Sequence, residues 1–177
     1  MDWINSHLSL NSVIWLFLAS FMVHDFEEII FVESWMSKHY EKVSLVIPKL
    51  FRKGFESYRN IKSSQFAAAV AIEFVIFIPT TILAADFHHY LLFIGFNAVL
   101  MIHVFTHLFQ SLLLRMYTPG VATAVVVVLP YSIYLFYRQN QAGILNWQVF
   151  NNGLDVGIIL LPLVLFGHSI GRRIIPN

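Results

Sequence analysis

The sequence predicts an all-α fold, an integral membrane bundle of five transmembrane helices, and three observations predict it. Of 177 residues, 58% are hydrophobic and only 12% are Asp, Glu, Lys or Arg, about half the charged share of a soluble domain. The mean hydropathy is +0.69. The apolar residues also gather into runs of about 20, the length a helix needs to cross the hydrocarbon core. Hydrophobicity of this order excludes a disordered chain. A net charge of +1 gives no basic surface for nucleic acid. With no cysteine there is no disulfide framework, thiolate metal site or thiol nucleophile, so a metal must be held by His, carboxylate or amide groups.

The opening MDWINSHLSLNSVIW lacks the basic region of a cleavable signal peptide, and the first apolar run is expected to remain as a span. That span covers about 11–35, with Asn11 and Ser12 able to cap it. The second covers 64–85 and contains Pro79. The third covers 88–114. The fourth, 120–137, follows Pro119, a residue tolerated where helices start. The fifth covers 152–170. Between the first two spans, the loop 36–63 mixes basic residues with Leu45, Val46, Ile47, Leu50, Phe51 and Phe55, as expected of a segment lying in the cytoplasmic interface. The whole chain, 1–177, reads as a single membrane domain.

Basic residues set the orientation. Lys38, Lys42, Lys49, Arg52, Lys53, Arg59 and Lys62 lie between spans one and two. Arg115 follows span three, and Arg172 and Arg173 follow span five. Arg138 alone falls on the other side. Ten against one places the N-terminus outside and the C-terminus in the cytoplasm, in what we expect to be a prokaryotic plasma membrane.

Ionisable groups inside a span cost roughly 2.5–3.5 kcal/mol each at its centre, yet this chain carries a set of them. Span one has His24, Asp25, Glu27 and Glu28. His24, Glu27 and Glu28 stand at i, i+3 and i+4 and share a helix face, while Asp25 points elsewhere. Span two has Glu73; span three has Asn97, His103 and His107, the two histidines on one face. At 1.5 Å per residue, the groups on all three spans fall at roughly 55–75% of the way toward the cytoplasm, except Asn97, which lies nearer the midplane. Imidazoles and carboxylates meeting at one depth can share protons or bind a metal. The expected ligands are His24, Glu28, Glu73, His103 and His107, holding one or two divalent ions, zinc or iron. Glu27, Glu28 and Asn97 are the candidate catalytic groups, with Glu27 and Glu73 also able to orient ligands. His168, near the cytoplasmic end of span five, is a candidate for the mouth of the site. The turn RMYTPGVAT reads as a tight cytoplasmic turn capping span four.

The run HDFEE, read as H-x-x-E-E within a first membrane helix, resembles the signature of the HXXEE-domain family, and N-x5-H-x3-H followed by Y-T-P-G-V-A-T is similar to that family's second motif. The resemblance implies roles for His24, Glu27 and Glu28, and also for Asn97, His103, His107, Tyr117, Pro119 and Gly120. It implies no reaction. A looser analogy to CAAX-processing membrane proteases fails at their E-E-x3-R pattern, because Val32 stands where the arginine belongs.

The function expected from these residues is an intramembrane metal-dependent hydrolase acting on a lipid-like substrate drawn from the bilayer. The alternatives are a di-iron oxidoreductase, a metal-ion or proton carrier, for which a homodimer would supply the missing half, and a structural membrane subunit.

Overall fold

The computed structural model describes residues 2–56 and 58–175. The side chains of His168 and Arg172 lie outside the described residues. Among the described residues eight α-helices follow in order: α1 (Asp2–His7), α2 (Leu10–Val46), α3 (Lys49–Glu56), α4 (Ser63–Ala85), α5 (Leu91–Leu114), α6 (Val121–Thr123), α7 (Leu129–Gln141) and α8 (Trp147–Ile174). A π-helical stretch, Ala124–Val128, joins α6 to α7. Among the described residues three helices are long and apolar enough to cross a membrane: Ser63–Ala85, Leu91–Leu114 and Val121–Gln141. In α2 the acids Asp25, Glu27 and Glu28 interrupt the apolar run.

The predicted spans shift at their ends. The loop expected at 36–63 is mostly helix. α2 begins at an N-cap in which Ser9 accepts from the Ser12 N–H, and it runs 37 residues, on to Val46, or about 55 Å. No proline or glycine interrupts it before Pro48, and Met36 and Val43 on its distal half are buried. α5 starts three residues later than predicted because Asp86 and Phe87 make a turn and the irregular stretch 88–90 follows, with His88 at a positive φ of 59°. α8 starts earlier, at Trp147, because the Asn146 side chain accepts from Val149 N–H and fixes the helix start there.

Hydrogen bonds gather the helix ends into two groups. At one end Glu33 accepts from Lys62 and from Ser63 N–H. Lys42 donates to the Leu114 carbonyl, and Gln65 to that of Ile175. These contacts bring the end of α2, the start of α4 and the ends of α5 and α8 together, with the basic residues of 38–62. At the opposite end Arg138 donates to the Leu8 carbonyl and to the Tyr134 hydroxyl. The single basic residue on that side is thus held by the chain's N-terminal segment.

α8 packs against both α4 and α5, and α2 packs against α4. The α5–α8 contact is a seam of small residues. A Cβ on Gly95 would stand 2.5 Å from the Gly153 carbonyl, and one on Gly157 would stand 2.5 Å from that of Gly95. Only glycine permits this backbone approach, a common solution where helices associate in lipid. On the side of the site away from the basic end lies an aromatic layer. Phe17 meets Phe77 at 5.1 Å and Phe93 at 5.4 Å between centroids, and Phe77 meets Phe21 at 4.8 Å and Phe96 at 4.9 Å. These are the tilted and edge-on arrangements that aromatic rings prefer.

A candidate metal centre built from two helices and a turn

α2 and α5 each contribute one face to the site. His24 and Glu28 are one turn apart on α2, and His103 and His107 one turn apart on α5. Each of the four offers a ligand atom, and these atoms all lie within 4.8 Å of one another. His107 Nε2 is 2.8 Å from His103 Nε2 and 3.4 Å from Glu28 Oε1. The His24 ring stands edge-on to both, with centroids 5.4 Å from His103 and 4.9 Å from His107. Ligand atoms around a tetrahedral ion with bonds of about 2.0–2.2 Å sit about 3.3–3.6 Å apart. Small side-chain adjustments would bring the four to that spacing.

The turn after α5 forms the third wall. Arg115 adopts φ 50°, ψ 45° and ends the helix. Trp35 Nε1 donates to the Tyr117 carbonyl at 2.7 Å, tying the turn to α2. Gly120, at φ +87°, lies against the site: a Cβ there would fall 2.6 Å from His107 Cε1 and 3.0 Å from Glu28 Cγ and Oε1. The carbonyls of Pro119 and Gly120 lie beside the His107 and His24 rings.

Glu27 accepts from Tyr117 Oη at 2.5 Å, Thr123 Oγ1 at 2.5 Å, Thr123 N–H at 2.7 Å and Ala122 N–H at 3.4 Å. The helix starting at Val121 has no side-chain cap of its own. Glu27, from another helix, satisfies its first amides and meets its positive end. Burial of the Tyr117 phenol, followed by its bond to Glu27, raises its pKa above the ordinary value.

This cap also determines a histidine tautomer. Thr123 has one hydroxyl proton, and Glu27, an acceptor only, receives it. Thr123 Oγ1 must then accept from His24 Nδ1, 3.1 Å away. With the proton on Nδ1, His24 Nε2 carries a bare lone pair, and that atom is buried with no hydrogen-bond partner. A histidine oriented through its other nitrogen is the usual arrangement of a metal ligand. Thr123→Val should therefore weaken metal binding by about 10–100-fold with helix content unchanged, measured by competition with a chelator. Unchanged affinity would remove Thr123 from this role.

The structure thus brings together His24, Glu28, His103 and His107. Glu73 is buried on α4 outside this set, within electrostatic reach of Glu28 and Asp25. Asp25, expected to point elsewhere, is itself buried. Asn97 is fully buried and donates to the Phe93 carbonyl at 2.8 Å, back along its own helix. Sequence reasoning read 117–123 as a simple turn and missed Thr123. The one available signal was the resemblance of Y-T-P-G-V-A-T to a family motif.

No solved structure matches the chain. A curated Bacillus subtilis (strain 168) protein, "Uncharacterized protein YrkK", is 29% identical over 87 residues, which are 48% of this chain and 55% of that protein. The chain thus spans about half the length of the curated relative it matches. A family model described as "Protein of unknown function with HXXEE motif" matches residues 15–135, a range that includes His24, Glu27 and Glu28, the α5 histidines and the turn that closes over them. The chain belongs to this HXXEE family.

Proposed function

We propose that the protein is an intramembrane metal-dependent hydrolase acting on a lipid-like substrate. The observation that carries the reading is the bare Nε2 of His24, fixed by Thr123 and Glu27 and buried beside His103, His107 and Glu28. In this reading α2, α4, α5, the α6–α7 helix and α8 all cross the bilayer. The basic end faces the cytoplasm of a prokaryotic plasma membrane, and the grouping of helix ends supports this orientation.

His24, His103 and His107 would hold one divalent ion, zinc or iron. An ion at a three-histidine site supplies Lewis acidity and lowers the pKa of a water in its open position. Glu28 is the general base: its side chain is 15% exposed, against 4% for His107, and it lines an adjoining cavity, where a proton can be taken up. Glu27, engaged by four donors, holds the turn that orients His24. Asn97 stiffens α5 above the site, and Glu73 stands beyond the ligands.

The test is elemental analysis of detergent-purified protein, wild type beside His103→Ala. The expected result is stoichiometric zinc or iron in the first and none in the second. Wild-type protein free of metal would overturn the reading.

A further inference from the structure

A cavity of about 760 Å³ opens from the candidate metal centre, within the roughly 300–1,000 Å³ of small-molecule sites. Its end at the site is formed by Glu28, His107 and Thr118, and Thr106, Gln110 and Tyr58 are further polar residues of the lining. From there it follows α2 past Val32, Met36, Val43 and Val46, about 27 Å along the helix axis at 1.5 Å per residue. Ile102, Phe105 and Phe109 of α5 form the opposite wall, and Phe55 and Tyr58 close the far end. The shape arises because α2 and α5 share the site yet pack mainly on different neighbours, α2 on α4 and α5 on α8. The gap between them runs toward the basic end of the bundle.

We infer that this cavity binds a single-chain amphiphile, a fatty-acyl compound, with its polar carbonyl end at Glu28 and His107 and its hydrocarbon tail along α2 toward α3. The inference rests on the reading of the His/Glu cluster as the reacting site. Two observations set the direction. The carboxylate and imidazole of the lining, Glu28 and His107, lie at one end of a long and mainly apolar wall. At the other end three basic side chains are engaged within the protein: Lys42 with the Leu114 carbonyl, Arg52 with that of Ile47, and Arg59 with Glu41. The mainly apolar lining at that end, Val43, Val46, Ile47, Pro48 and Phe55, suits a tail. A tail moving from bilayer to cavity exchanges one apolar medium for another, so hydrophobic transfer adds little. Selectivity must come from the length and width of the channel.

The experiment uses hexadecanoic acid carrying a diazirine at the terminal carbon or beside the carboxyl, photolysed with the full-length protein in phosphatidylcholine nanodiscs and mapped by mass spectrometry. The terminal label is expected on Val43 or Phe55, and the carboxyl-proximal label on the buried Val32. Val43→Trp should lower the terminal labelling about tenfold by overpacking the channel and leave the carboxyl-proximal labelling in place. A reversed pattern, or labels spread over outward-facing Ile30, Leu112 and Ile159, would overturn the inference, as would unchanged labelling in Val43→Trp. If Val43→Trp does not fold, Met36→Phe and the wild-type pattern decide. The same pattern on wild-type protein that proves metal-free would still support the cavity while removing the hydrolase reading, so the two failures are distinguishable.

Discussion

Replacing Glu28 with Gln should leave the metal in place and lower hydrolysis by about 10²–10⁴-fold, the range spanned by general acid–base groups. The amide has nearly the shape of the carboxylate, so the contact with Gly120 and the approach to His107, 3.4 Å from Glu28 Oε1, are preserved. What is lost is the ability to accept a proton where the cavity meets the imidazoles. The measurement pairs metal content with turnover of single-chain acyl esters. Retained metal with lost turnover assigns Glu28 as base. Lost metal makes it a ligand instead, and full turnover would place the base elsewhere. Glu27→Gln should behave differently. Its carboxylate accepts both amide and hydroxyl bonds at the start of α6, so the change should loosen the turn and reduce metal affinity and turnover together.

Gly120→Ala should damage the site and the fold at once. The residue sits at φ +87°, where an L side chain costs about 1–3 kcal/mol. The added Cβ would also fall 2.6 Å from His107 Cε1 and 3.0 Å from Glu28, so one of the two must move. A control separates strain from collision. Gly143 has φ +70° and nothing within 4 Å of its ideal Cβ. Gly143→Ala should lower thermal stability by the backbone term alone and leave metal binding intact. Gly120→Ala should lower stability further and release the metal, read by melting in detergent and by elemental analysis. Equal behaviour of the two variants would mean that Gly120 serves only the turn.

The helical character of the chain and the four residues that meet were legible in the sequence for one reason. A charge in an apolar helix must find a partner, and helical periodicity states which face it occupies. His24 with Glu28, and His103 with His107, could therefore be placed on matching faces at matching depths. Glu27 shows where that logic stops. Its i+3 spacing from His24 fits a ligand or a cap equally well, and only the position of Ala122 and Thr123 in space distinguishes them. The extension of α2 to Val46 was hidden in a similar way, because basic residues that read as a loop are equally compatible with a helix exposed on one face.

The sequence by itself determined the helical class and the helix faces that the polar groups share, since these follow from composition and from helical periodicity. Tertiary structure alone decided that the turn 117–123 folds inward over the imidazoles, that Thr123 bridges Glu27 and His24, and that α2 and α5 part to leave a channel. Those features depend on contacts between residues some ninety to a hundred positions apart, which have no local period to read.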